Sequence, residues 1–486
     1  MARLTILFLT FSELGQAALS LAVAHEFLIR SYDVHIGSFA PLERAVSQLN
    51  ARAAFLASVT NSATFHPITG IPMTEAYTWF QTSTHSFQLH GVGFRAALRT
   101  YKHIFPSLGT PWDGPQYMTI YQDCFKLIQT LQPAIVVLDP IFLQAVEACR
   151  MLKQRYIALT PNTFKELAPQ PKLANLWKYP SMCSGYPFPL PWYLILPNTY
   201  LALRMSLTIM NNPRARELET YRNAHGLAGP IPSPGLHQFN TKDKTLALLP
   251  ARRETEFPCF FPDSFVLCGP ILRPCATIAE EDPELASWLE RRPTVLVNLG
   301  SIVMYTNDDL RELMEGFRIL LDKRPDIQIL WKIMKGSGTV AENTTLPDDL
   351  RIVIAEGRVR VESWLAGEPI CILRSGHVQC MVHHGGSNSY HEAIRAGVPQ
   401  VILPVWLDTY DFALRAEWLG IGVWGSRKTA PAVNGPELGQ ALIRVLASAQ
   451  SAAIQDKAKS IACQLGPKEG RVIACEKIIS LLTESE

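Results

Sequence analysis

The 486-residue chain has no excess of either charge: 45 basic residues meet 43 acidic ones, for a net charge of +2. It also lacks any long basic run, which argues against nucleic acid as a main partner. Its ten cysteines include no Cys-x-x-Cys pair and no zinc-ligand spacing. That pattern predicts buried thiols in a reducing compartment rather than a disulfide framework or a zinc site. No uninterrupted apolar run of about 20 residues occurs, so no segment is a candidate membrane span. No short internal repeat is visible. The opening "MARLTILFLTF" has only a short apolar run, Leu4 to Leu9, followed by polar "SELGQ". It predicts a first buried strand rather than a signal peptide. A cytosolic protein is expected, with the single sequon at Asn343 unused.

What is present is apolar and periodic. Hydrophobic residues make up 48% of the chain, enough for well-packed cores, and the length predicts two domains. Near the start, "LTILFLTF", "QAALSLAVAHEFLIR" and "DVHIGSFA" read strand, helix, strand, and the alternation recurs at "AIVVLDP", "LQAVEACRMLKQ" and "RYIALTP". A second series begins at "TVLVNLGS". It predicts a helix over 307–322, strands at "IQILWKI", "RIVIAEG" and "QCMVHH", a helix over 388–396 and a strand at "QVILPV". Fully apolar strands alternating with amphipathic helices imply parallel sheets covered on both faces. The fold class expected is α/β, with two doubly wound domains divided near residue 270 by the linker-like "LCGPILRPCATIAEEDP".

One stretch fits neither series. Between Tyr179 and Asn212 only Arg204 is charged, and prolines stand at 180, 187, 189, 191 and 197. Three readings are open: a buried irregular insertion, an apolar lid over a ligand cleft, or a surface that touches a membrane from one side.

The stretch "HGGSNSYHE" at 384–392 lies between two predicted buried strands, "VQCMV" and "GVPQVILPV". Gly385 and Gly386 permit a sharp turn from strand end into a short helix closed by Gly397 and Pro399. Ser387, Asn388 and Ser389 are expected to supply its N-cap and first-turn donors. Such a helix start, at the mouth of a parallel sheet, suits a phosphate. Glu392 sits one turn further on the same face as Asn388. Phosphate would repel it, but a neighbouring diol such as a ribose would suit it.

Over a longer stretch, "HHGGSNSYHEAIRAGVPQVILPVWLDTYD" resembles the donor-binding signature of family-1 UDP-dependent glycosyltransferases, and "DTYDFALRAEWLGIG" resembles a fungal branch of that family. The matching positions are His384, Gly386, Asn388, Ser389, Glu392, the Gly-Val-Pro at 397–399, Pro404 and Asp408. The resemblance implies the GT-B fold, two Rossmann-like domains facing across a cleft. Residues 1–268 would bind the acceptor, 269–455 the nucleotide sugar, and helices in 456–486 would pack back on the first domain. It further implies that Trp364 stacks on the uracil, although the Pro-Gln that normally follows this tryptophan is missing. His384, Asn388 and Ser389 would hold the diphosphate, with Ser301 approaching it from a second turn. Glu392 would bind the ribose and Asp408 the sugar hydroxyls. Thr409 stands where the family has Gln, which leaves the hexose open. The co-substrates implied are a UDP-sugar, UDP-glucose first, and a small acceptor that the apolar 179–212 stretch suggests is itself fairly apolar. No metal is expected, and no Asp-x-Asp motif is present.

At the reacting end the family's base is a histidine after the first strand, oriented by an aspartate. The aspartate corresponds to Asp139 in "IVVLDP", but the histidine position holds Gln16, and a neutral amide is no base. Glu13 or Asp139 can take the proton, or else a histidine at 85, 90 or 103. Otherwise the acceptor needs little help, or the chain does not catalyse. Glu13 can equally cap the next helix, and Asp139 can satisfy a turn. A nucleotide-binding protein without catalysis and a nucleotide-sugar epimerase are the competing functional readings.

Overall fold

The computed structural model describes residues 4–57, 59, 61–78, 90–108, 110–167, 173–232, 245–300, 306–333, 354–365 and 367–483. Ser301, His85 and Asn343 lie outside them. Two parallel sheets organise the chain. The first runs β3-β2-β1-β4-β5-β6-β7, from β1 (Thr5–Leu9), β2 (Asp33–Ser38), β3 (Thr64–Pro67), β4 (Ile135–Leu138), β5 (Tyr156–Leu159), β6 (Ala247–Leu249) and β7 (Phe265–Leu267). The second runs β10-β9-β8-β11-β12-β13, from β8 (Thr294–Asn298), β9 (Gln328–Lys332), β10 (Val359–Glu362), β11 (Val378–His383), β12 (Gln400–Ile402) and β13 (Gly422–Trp424). Every strand pairing is parallel.

The apolar strands are apolar because both faces are covered. In β1, Ile6 and Phe8 join a core with the helix Leu14–Ile29, while Leu7 and Leu9 join another with the helix Gly114–Leu131. Alternate residues point to opposite faces, so a half-polar strand could not sit there. The last helix, Gly470–Thr483, places Ala474, Cys475 and Ile478 in the same core as the Leu14–Ile29 helix, and its Arg471 meets Glu26 at 2.9 Å.

Two sequence expectations fail. The strand expected at 351–357 is not seen in its described part. Residues 354–355 are helical, 356–357 turn, and the strand begins at Val359. Of the three readings left open for 179–212, the buried irregular insertion is the one that fails, because the stretch contains the helix Ile195–Met210 with one apolar side exposed. All ten cysteines are free. Among the described residues, no helix is long and apolar enough to cross a membrane.

Candidate active site

A cavity of about 760 Å³ opens at the carboxyl ends of the strands of both sheets, within the size range of small-molecule sites. One wall comes from the loop after β1, with Glu13 and Gln16, and from Thr74 and Tyr77. The facing wall comes from Asn298 at the end of β8, Gly300 after it, Lys332 at the end of β9, Trp364, and the turn and helix that follow β11.

The helix Ser387–Ala396 begins differently from the sequence expectation. Its N-cap is Gly386, and no side chain caps it. The Ser387 hydroxyl lies 3.2 Å from Nδ1 of His391 instead. The first-turn N–H groups are therefore left without a side-chain acceptor at the cavity wall, where an anion is stabilised by them and by the helix dipole. Gly385 takes φ +85°, and Gly386 has an ordinary φ of −66°. A Cβ on Gly386 would lie 2.5 Å from the His384 ring, and one on Gly300 2.6 Å from it. These two glycines thus form the slot that holds the imidazole. Burial, with His383 and Lys332 nearby, pushes His384 down to about 3. Its ring is neutral near pH 7 and carries no charge to a phosphate.

Lys332, which sequence reading missed, is a cation on this wall. Its Nζ lies 4.1 Å from the centre of the Trp364 ring and 3.3 Å from the Gly300 carbonyl. Burial brings it down to about 8, opposed by Glu392. The findable signal was its place at the carboxyl end of a central parallel strand. Trp364 is no core residue, being 52% exposed beside the cavity. Glu392 is buried, which raises its carboxyl to about 8, with Glu368 adding to the rise. A carboxyl in that state can donate as well as accept hydrogen bonds, which fits a diol. Asp408 lines the cavity, but Thr409 does not. The Thr409 hydroxyl accepts from the N–H groups of Val405 and Trp406, both at 3.0 Å, and donates to the Trp406 carbonyl. It shapes the loop rather than facing a ligand. Ser389 is buried in the first turn and borders the cavity.

On the opposite wall, Glu13 occupies the N-cap position of the Leu14–Ile29 helix but caps nothing with its side chain. Its Oε1 accepts from the Thr74 N–H at 2.7 Å and from the Thr74 hydroxyl. Its Oε2 is buried with no hydrogen-bond partner, and so is Oε1 of Gln16. Asp139 lies behind this loop, 1% exposed. Its Oδ1 accepts from the Ile141 N–H at 3.1 Å, so one oxygen does satisfy a turn, while Oδ2 has no partner. Burial is the main cause that lifts its carboxyl to about 7, and the Glu13 charge adds to it. His90 is buried, His103 is exposed, and neither lines the cavity. The two walls touch: Nδ2 of Asn388 donates to the carbonyls of Leu14 (3.2 Å) and Gly15 (3.4 Å). A set of ion pairs also joins the walls, with Arg52 at 2.9 Å from Glu281 and 3.3 Å from Glu368.

Comparison with known proteins follows the same lines. Residues 340–474 match the family described as "Erythromycin biosynthesis protein CIII-like, C-terminal domain". The chain is 36% identical over 477 residues to "Glycosyltransferase sdnJ" of Sordaria araneosa, covering 91% of this chain and 90% of that one. Among solved structures, a UDP-glucosyltransferase from Polygonum tinctorium that glucosylates indoxyl superposes with a TM-score of 0.65 at 14% identity, over 99% of both chains. The glycosyltransferase VinC, solved with dTDP, gives 0.58 at 18% identity over 99% of this chain and 100% of that one. These two structures have the GT-B fold, and the likeness to them is one of fold.

Proposed function

The chain belongs to the family-1 glycosyltransferases, and from that premise we propose that it moves a hexose from a UDP-sugar, UDP-glucose first, to a small apolar acceptor with inversion. Membership sets aside the binding-only and epimerase readings. The observation that carries the proposal is a single cavity lined by both the uncapped start of the Ser387–Ala396 helix and the Glu13 carboxylate. The diphosphate sits on that helix start with Lys332 as its counter-charge, the uracil on Trp364, and the ribose on Glu392. Asp408 is left for the sugar. Glu392 also favours a ribonucleotide over dTDP, whose sugar lacks the 2′-hydroxyl.

Support for an apolar acceptor no longer comes from 179–212, since none of its residues lines the cavity. It comes from Leu49, Phe55, Met73, Tyr77 and Leu108, which do. The base in this reading is Glu13. The acceptor hydroxyl gives its proton to the Glu13 carboxylate, and its oxygen forms the bond to the anomeric carbon. The bond from that carbon to phosphate breaks, and UDP departs with the electron pair. The growing charge meets the helix start and Lys332. Asp139 is shielded from the cavity and acts through Glu13.

The test is transfer by Glu13→Gln, with products identified by mass spectrometry across a donor and acceptor panel. Turnover is expected to fall by about 10²-fold or more while UDP affinity, measured by calorimetry, stays near the parent value. Undiminished turnover would remove Glu13 from the mechanism.

A further inference from the structure

The active site leaves one feature unexplained, the outer side of the 179–212 stretch. The helix Ile195–Met210 turns Asn198, Leu201 and Ala202 inward, and Leu201 packs in the same core as Tyr390 and Tyr410. Its other side carries Leu196, Tyr200, Leu203, Leu207 and Met210, spaced alternately four and three apart, so they form one stripe along the helix. Their exposures are 82, 49, 47, 48 and 75%. Trp192 and Tyr193 in the turn just before are 83 and 61% exposed. Phe94 extends the stripe by stacking on Tyr200 at 5.9 Å between ring centres.

The charged side chains exposed on the two helices that build this face have one sign. The helix Phe94–His103, packed beside Ile195–Met210, exposes Arg95, Arg99 and Lys102, and Arg204 is exposed on the longer helix. Neither 76–112 nor 167–216 contains a single Asp or Glu.

We propose that this face docks on the surface of an anionic lipid bilayer. The apolar stripe would enter the interface, Trp192 and Tyr193 would sit at headgroup depth, and the flanking cations would meet anionic headgroups. A second copy of the chain is the poorer occupant. A two-fold contact through the same stripe would set one cationic face against another, with no acidic residue in 76–112 or 167–216 to offset it. No spanning segment is required, and the inference does not depend on the identity of the donor or the base.

The experiment is co-sedimentation of the full chain with vesicles of phosphatidylcholine, with and without phosphatidylserine. Binding is expected to the mixed vesicles, weakening as salt is raised, and to be much poorer on phosphatidylcholine alone. The combined Trp192→Ser, Leu196→Ser and Met210→Ser variant is expected to bind about tenfold or more weakly. The combined Arg95→Gln, Arg99→Gln and Lys102→Gln variant is expected to lose the preference for phosphatidylserine. Failure of the parent to sediment with either lipid overturns the proposal, as does a serine variant that binds like the parent. So does a parent that is dimeric in solution and that the serine substitutions turn into a monomer.

Discussion

Asp139 is the residue whose replacement tests the electrostatics of this site most directly. Its carboxyl is held at about 7 rather than the ordinary 3.8, mainly because the folded chain strips it of water. Between those values the folded state keeps a proton that the unfolded state has lost. Stability must therefore fall as pH rises through this window, and above about 7 the full cost of the buried charge is present. At about 1.4 kcal/mol for each tenfold change in proton affinity, that cost reaches roughly 4 kcal/mol as an upper bound. Of this, roughly 3 kcal/mol develops between about pH 5 and pH 8. Asp139→Asn removes the titration while keeping Oδ1, the atom that accepts from Ile141. Urea unfolding of parent and variant at a series of pH values is the assay. The variant should gain on the parent steadily from about pH 5 upward by up to that amount, and level off above about pH 7. In transfer assays it should meanwhile turn over more slowly, because Glu13 loses the titrating carboxyl behind it. Other buried carboxyls tilt both curves alike, so only the difference matters. A stability difference that stays constant across the series would refute the reasoning.

Two further outcomes follow from the donor wall. Lys332→Met keeps an unbranched apolar side chain against Trp364 but removes the charge; the KM for UDP-sugar should rise about tenfold or more, as for loss of one hydrogen bond to a charged group, with a further fall in kcat. Glu392→Ala should weaken UDP by about tenfold or more in calorimetry while changing dTDP less. Equal losses for the two nucleotides would mean that Glu392 does not read the 2′-hydroxyl.

Some elements were legible from sequence for a physical reason, and others were opaque for one. "AIVVLDP" announced β4 because a central parallel strand is buried on both faces, and nothing but apolar residues fits. The same logic misplaced β10. As an edge strand it is paired only to β9, and it tolerates Arg360 and Glu362, which pair with each other at 2.7 Å. The apolar "RIVIAEG" just before it was the more attractive candidate, and its described residues, 354–357, are helix and turn. The 179–212 stretch left three readings open for a different reason. Its composition allowed burial, a lid or a membrane-facing surface, because composition does not say whether the molecule has a surface to cover a stripe. At the site, "HGGSNSYHE" could be read because turn glycines and a helix start are local features. The partnership of Glu13 with Thr74 joins side chains 61 positions apart, and no local pattern contains it.

The contact between Asn388 and the first domain changes what the donor signature does. The side-chain amide has two N–H groups, and its nitrogen lies within reach of the Leu14 and Gly15 carbonyls. An amide engaged in this way has little left to give a phosphate, so in the proposed complex the diphosphate would draw mainly on the backbone N–H groups of the uncapped helix start and on Lys332. What Asn388 supplies instead is registry. The loop it grips is the one that carries Glu13 and Gln16, so the proposed base would be positioned by the same helix that would seat the leaving group. The geometry needed for transfer, with the acceptor oxygen, anomeric carbon and departing phosphate in line, spans two domains. A hydrogen bond from the donor helix to the base loop fixes that span at the point where a small displacement would cost most. A side chain at 388 unable to donate would leave both halves of the site intact and the distance between them unset.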